Sequence, residues 1–294
     1  MRVLVTGASG LVGRALCEAL TTAGHEVVTL GRGERSDVRW DVDAGILDLS
    51  DAGVLNAVIH LAGESVAGGP WTAGRKARIR YSRVKGTGLL VERLREREQR
   101  PSVFISASGI GYYGNCRDGE VDETSARGAG FLAGVCEDWE KASEPLSEMG
   151  VRVVHCRIGM VLDPQGGALA KMLPAFRLGL GGRLGDGRQG VSWISLRDVV
   201  AILSFALSSE ALSGPVNVVA PGAVTNLVFT RALGRACGRP TWLPAPAWAL
   251  KLVLGEMAEE LLLGGAMVQP TRLRDAGFDF QDTDLDATLG RLLA

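Results

Sequence analysis

Two groups of residues have the types and spacing for chemistry: a glycine series at the head of the chain and a serine–tyrosine series near its middle. Gly7, Gly10 and Gly13 lie in Thr6-Gly7-Ala8-Ser9-Gly10-Leu11-Val12-Gly13, directly after the apolar run Val3–Val5 and opening a helix-like segment. A dinucleotide pyrophosphate needs backbone that approaches without Cβ atoms in the way, a tight turn, and the positive end of a helix. Gly7, Gly10 and the helix start at Ser9, Leu11 and Val12 meet those needs, and Gly13 allows close packing of helix on strand. No Gly-Lys-Ser/Thr follows, which excludes a P-loop.

At the end of the second strand-like run the chain reads Leu30-Gly31-Arg32-Gly33-Glu34-Arg35. A free ribose 2′-hydroxyl is usually met there by an acid, whereas a 2′-phosphate suits the planar fork of an arginine. Gly31 and Arg32 therefore lean to NADP over NAD. Solvated loop charges on Arg32 and Arg35, with Glu34 on the ribose, are the competing reading. Asp41, after Trp40, is either an acceptor for an adenine amino group or an ordinary turn aspartate.

Ser106, Ser108, Tyr112 and Tyr113 follow the run Val103–Ser106, where ligands of a parallel sheet collect. Reduction of a carbonyl needs a proton donor beside the nicotinamide, and Tyr112 or Tyr113 is expected to supply it, with loop packing as the plainer role. The remaining tyrosine, Tyr81, has Lys85 four residues on, but upstream of the serine strand. His155 and Arg157 are expected at the cleft, holding an anionic substrate. Cys136 has no histidine near it in sequence to activate a thiolate. The acidic run Asp118, Glu120, Asp122 and Glu123 reads as a solvated loop.

These groups need a scaffold. The short apolar runs Val3–Val5, Val27–Leu30, Ala57–Leu61, Val103–Ser106 and Val151–His155 alternate with helix-like Leu11–Ala23, Arg75–Arg97 and Gly134–Met149. That alternation calls for crossover units and a doubly wound parallel sheet covered on both faces, an α/β chain. After about Gly159 the texture turns Gly-rich, and later segments (225–237, 247–254, 257–263, 285–293) look helical. The expected lobes are 1–158 with about 189–222 for nucleotide binding, and about 159–188 with 223–294 for a smaller, mostly helical substrate lobe.

The chain has 294 residues, 46% of them hydrophobic, and a net charge of −1, which makes nucleic acid or an anionic bilayer a poor partner. No apolar run approaches the roughly 20 residues of a membrane span. Without a signal-like start, and with five scattered cysteines and no Cys-x-x-Cys, it reads as cytoplasmic and free of disulfides. Three well-separated histidines argue against a transition-metal site.

Several segments then resemble one family. His60-Leu61-Ala62-Gly63, Ser82-Arg83-Val84-Lys85-Gly86-Thr87 and Ser106 to Gly114 look like an extended short-chain dehydrogenase/reductase. Trp71-Thr72, Phe131-Leu132-Ala133, Asp138-Trp139-Glu140, Ser192-Trp193-Ile194 and Gly277-Phe278-Asp279-Phe280 resemble its atypical "epimerase family protein" branch, with a C-terminal extension. The resemblance implies a Rossmann-type NADP-binding lobe, with Leu61, Ala62 and Gly63 beside the adenosine ribose. Arg83 stands where the family has asparagine, reaching a cofactor phosphate, an anionic substrate or only solvent. Ser108 aligns with the family serine. Where the family's Tyr-x-x-x-Lys belongs, this chain has Leu132 and Cys136, so the resemblance implies either an oxidoreductase or epimerase-like enzyme on a small polar substrate with non-standard catalysis, or a cofactor-binding regulator, some relatives being linked with division. By analogy it also implies a homodimer through segments 75–97 and 134–149. Trp193 and Asp198 correspond to a family segment that ties the lobes.

Overall fold

The computed structural model describes residues 1–117 and 119–294; Asp118 of the acidic run lies outside the described residues. The strands are β1 (Arg2–Thr6), β2 (Glu26–Gly31), β3 (Val38–Asp41), β4 (Ile46–Leu47), β5 (Ala57–His60), β6 (Val103–Gly109), β7 (Glu120–Val121), β8 (Arg152–Ile158), β9 (Met160–Asp163), β10 (Gly190–Val191), β11 (Trp193–Ser195), β12 (Gly214–Val218), β13 (Val224–Thr225) and β14 (Met267–Val268). The helices that matter for the site are α1 (Leu11–Thr22), α2 (Ala73–Arg95), α3 (Phe131–Lys141), α4 (Glu144–Ser147), α5 (Gly167–Arg177), α6 (Leu196–Ser208), α7 (Asn226–Ala236) and α8 (Ala247–Leu254).

Eight strands form one sheet in the order β12-β8-β6-β5-β1-β2-β3-β4. β1 pairs in parallel with both β2 and β5, so the direction of winding reverses on either side of it. That reversal leaves a crevice at the C-terminal ends of the strands, the usual ligand position of a doubly wound fold. β2–β3 and β5–β6 are also parallel, and the hairpin β3–β4 runs antiparallel. The fold is thus Rossmann-like α/β, with a helical C-terminal region.

The chain divides into two compact units. The first (1–108, 135–156 and 200–216) holds most of the sheet, with a core that includes Leu4, Leu30, Val58, Leu90, Leu94 and Phe104. The apolar runs are buried because α2 lays Ile79, Leu90 and Leu94 on them, and Gly86 brings the helix against the ring of Trp40.

The second unit (109–134, 157–199 and 217–294) has its own core around Leu169, Leu173, Trp193, Phe229, Leu233 and Leu289. β9 pairs with β11, and Trp193 Nε1 donates to the carbonyl of Gly222 at 2.9 Å. Asp198 accepts from the backbone of Gln281 and Asp282 at 3.1 and 3.0 Å, fixing the segment that leads to the last helix.

Some expectations shift. The helix expected over Gly134–Met149 starts earlier, at Phe131, and splits into α3 and α4, because Pro145 in the first turn of α4 lacks an N–H for a continuous ladder. The run 257–263 is a short turn followed by a π-helical stretch at Glu259–Leu263. Glu123 is not solvated: it is buried and accepts from the backbone N–H of Asn217 at 2.9 Å, and burial raises its pKa. Among the described residues, no helix is long and apolar enough to cross a membrane.

Candidate functional site

β1 delivers the chain to Gly7, whose φ of +70° belongs to the left-handed region that glycine alone enters freely. The same residue lies so close to the β5 end that an added Cβ would stand 2.9 Å from the carbonyl carbon of Leu61. Gly10 N–H donates back to Gly7 O at 2.9 Å, closing the turn. A Cβ on Gly13 would overlap that same carbonyl oxygen, so α1 sits on the loop only because the position is glycine. The first turn of α1 has neither a side-chain cap nor an acidic residue, which leaves its N–H groups and dipole to an anion. Ser9 and Gly10 are exposed there, with Leu11 and Val12 half-buried behind them.

The neighbouring turn is held by a buried relay that sequence reading missed. Thr6 Oγ1 accepts from the N–H groups of Leu61 and Ala62, each at 3.1 Å, so its own hydrogen goes to His60 Nδ1 at 2.7 Å. His60 Nε2–H then donates to Thr87 Oγ1 at 3.0 Å. Burial pulls His60 down to about 4, which keeps the ring neutral and the relay intact. The signal was present as a histidine in an otherwise apolar strand, but its partners are 54 and 27 residues away.

Arg32, Gly33, Glu34 and Arg35 are exposed beyond β2, and Gly31 packs where a Cβ would strike the Ser36 hydroxyl. The loop is braced by Asp37, which accepts from Thr29 N and Thr29 Oγ1 at 2.8 and 2.7 Å; those bonds lower its pKa. Asp41 is a turn aspartate: Oδ1 accepts from Asp43 N and Ala44 N, both at 3.0 Å, and closes the β3–β4 hairpin. Tyr81 and Lys85 bond to each other at the exposed edge beside that hairpin, where Lys85 also donates to Asp43 O.

Arg83 is not a surface arginine. Its Nη1 donates to the carbonyls of Glu64 and Ile79 at 2.9 and 3.1 Å, and its guanidinium lies 4.9 Å from the ring centroid of Trp139. A Cβ on Gly63 would come within 3.2 Å of the guanidinium carbon, so glycine there makes room for it. Trp139 Nε1 is buried with no hydrogen-bond partner. The carboxylate of Glu64 pairs with Arg75 at 2.8 Å.

The serine–tyrosine series divides between the units. In the first, Ser108 Oγ donates to Glu140 Oε1 at 2.7 Å, with the two residues 6% and 9% exposed. Cys136 is buried one turn before Glu140, and Leu132 lies one turn further back. His155 Nε2 meets the hydroxyl of Ser143, the residue that precedes α4, at 2.9 Å, so this ring nitrogen is engaged within the fold. In the second, Tyr113 donates to Asn217 Oδ1 at 2.7 Å and accepts from Arg157 Nη1 at 3.0 Å. Burial pushes that phenol up to about 12 despite Arg157, a poor setting for a proton donor near neutrality. Tyr112 is half-buried, with the Arg157 guanidinium 3.4 Å over its ring. Arg157, expected to hold an anion, is engaged by both tyrosines.

A family model described as the NAD dependent epimerase/dehydratase family matches residues 3–129, and one described as a domain of unknown function, DUF1731, matches residues 245–292. Epimerase family protein Mb2239 of Mycobacterium bovis is 42% identical over 291 residues, 98% of this chain and 96% of that protein. The crystal structure of human epimerase family protein SDR39U1 (isoform2) with NADPH superposes with a TM-score of 0.92 at 33% identity, covering 100% of this chain and 99% of that one. The UDP-glucose 4-epimerase of Thermus thermophilus, solved as a complex with NAD, shares the fold at 21% identity and a TM-score of 0.80, covering 100% of this chain and 98% of the other. The glycine turn on the β1–α1 crossing, the winding of the sheet and relatives matched over nearly their whole length lead to one assignment: the chain belongs to the NAD-dependent epimerase/dehydratase family, among the epimerase family proteins.

Proposed function

We propose that this protein binds NADP(H) and acts as an oxidoreductase or epimerase-like enzyme on a small polar carbonyl or alcohol. The observation that carries the reading is the cradle at Gly7, Gly10 and Gly13: left-handed backbone at Gly7, no room for a Cβ at Gly13, and an uncapped helix start beside them. In this reading the loop and α1 receive the pyrophosphate, exposed Arg32 takes the 2′-phosphate, and the backbone of Leu61, Ala62 and Gly63 borders the ribose, with Arg83 braced behind Gly63. The first unit is then the nucleotide-binding part. NADPH in the human relative supports this preference. When bound, the nicotinamide supplies hydride to a carbonyl carbon or takes it from an alcohol. The chain's own contribution is orientation and the proton, for which Ser108 and Tyr112 are the candidates, with Tyr113 as a buried brace.

Calorimetry on folded, cofactor-free protein tests the binding step. NADP(H) is expected to bind more tightly than NAD(H), and Arg32→Ala to remove about tenfold or more of that preference, since a charge-assisted phosphate contact is lost. Heat from neither cofactor would end the proposal. Leu132 and Cys136, where a tyrosine and a lysine are the usual donor pair, favour a second reading: a cofactor-binding regulator with little turnover. Binding without NADPH oxidation across a carbonyl panel, identical in wild type and Tyr112→Phe, would select it.

A further inference from the structure

Seven of the twelve large hydrophobic side chains that stand exposed among the described residues fall in two short segments of the second unit, Leu178 and Leu180 in one and five between Trp242 and Val253 in the other. Trp242 is 85% exposed, Leu252 81% and Trp248 71%. The backbone holds the two segments together. Gly182 bridges Trp242, Leu184 bridges Ala245, and Ala245 N–H donates to Arg183 O at 2.9 Å. A Cβ on Gly182 would overlap the carbonyl oxygen of Leu243. α8 begins two residues after Ala245, and none of its eight residues is buried. Protruding apolar groups concentrated in this way mark an interaction surface. The same stretches are basic. Residues 164–185 and 211–255 carry seven Lys and Arg, from Lys171 to Lys251, and no Asp or Glu, a local excess that the net charge of −1 averages away. Arg231, Arg235 and Arg239 line one hollow of about 380 Å³ with Trp242 on its wall. Arg235 is neutralised by Asp286 at 2.6 Å, and Lys251 by Glu259 at 2.7 Å. Arg239 spends its Nε on the Arg177 carbonyl at 3.0 Å and keeps its Nη groups, while Arg231 has no partner among the described residues. Guanidinium groups left over in this way suit phosphate oxygens.

We propose that this face docks on the surface of a bilayer containing anionic phospholipid, a role independent of the cofactor assignment above. Arg231 and Arg239 meet headgroup phosphates, while Trp242, Trp248 and Leu252 enter the interfacial layer, where tryptophan settles at headgroup level. Charge and shape together select this partner. A second copy of the chain would bring two basic faces against each other. A nucleic acid would take the arginines and Trp242 but gives the aliphatic Leu178, Leu252 and Val253 no apolar seat. A folded acidic protein would need a fitted hollow for every protruding side chain, whereas a fluid bilayer receives them as they stand.

Flotation of the full-length chain with vesicles tests this, using phosphatidylcholine alone and equal parts phosphatidylcholine and phosphatidylglycerol. Wild type is expected to float with the anionic vesicles about fivefold or more over the neutral ones, and to lose most of that binding in high salt as the phosphate contacts are screened. Its tryptophan emission is expected to shift to the blue with anionic vesicles, and the double variant Trp242→Phe, Trp248→Phe to lose that shift. Leu252→Asp, and separately Arg231→Glu with Arg239→Glu, are expected to abolish flotation with unchanged thermal melts, since all three side chains are exposed. Wild type that stays behind when anionic vesicles float overturns the proposal. Equal flotation with both vesicle types overturns it too, and so does flotation that survives Leu252→Asp. A concentration-dependent dimer or retention of single-stranded DNA, each without flotation, gives the face to that other partner and likewise overturns the proposal.

Discussion

Single atoms decide whether the opening loop can exist. Gly13 has no Cβ, and the space a Cβ would need is held by the carbonyl oxygen of Gly7. Gly13→Ala is therefore expected to lower stability by about 1–3 kcal/mol through overpacking, and to weaken NADP(H) binding at least tenfold because the loop must move; thermal melts and calorimetry check both. His60 sets an acid limit. Its folded-state value of about 4, against the ordinary 6.5, means that the unfolded chain binds the extra proton between those values. Stability from this residue is full above pH 6.5 and is lost as pH falls toward 4, by up to about 3 kcal/mol. Urea midpoints at neutral and acid pH should show that slope, and His60→Gln should flatten it while costing stability at pH 7. The glycine spacing was legible in the bare sequence because backbone clearance is a property of residue type. The His60 relay was not, because it depends on which threonines the sheet and α2 bring alongside.

At the level of elements, α3 shows what local sequence leaves open. Its first amides are capped from far along the chain: Glu260 accepts from Phe131 N at 2.6 Å and Leu132 N at 2.8 Å. The carboxylate sits on the π-helical stretch, and Gly130 clears the way for it, with a Cβ there falling 2.9 Å from its oxygen. Glu260→Gln is expected to cost about 1–2 kcal/mol, the worth of a charged cap at a helix start, with an unchanged denaturant slope. An unshifted melting temperature would show that the cap contributes nothing. The loss of tyrosine and lysine from this helix could be read directly from residues 131–139. What stands in their place could not, because Ser108 and Glu140 are 32 residues apart and meet only once α3 has docked on the β6 end. The hairpin β3–β4 likewise turned Asp41 from a candidate adenine acceptor into the residue that closes the turn.

Across the whole molecule, every residue assigned to the cofactor, from Gly7 to Arg83, falls in the first compact unit, whereas Tyr112 and Tyr113 fall in the second. Hydrogen exchange with and without NADPH is accordingly expected to show protection concentrated at residues 5–13, 29–32 and 60–64, with segment 247–263 unchanged; protection confined to the second unit would refute the assignment. Composition, apolar runs and the β1–α1 glycines were enough to determine a parallel α/β chain with a dinucleotide-type loop, because burial and backbone clearance are fixed by residue type and near-neighbour spacing. Tertiary structure alone decided which polar groups are free and which are spent. Tyr113, Arg157, His155 and Asp41 all look available in the sequence and all prove to be engaged, while Glu140 passes there as one letter of a helix motif and gains its partner only through packing. Reactivity depends on distance and on exclusion of water, and neither is set until remote segments meet.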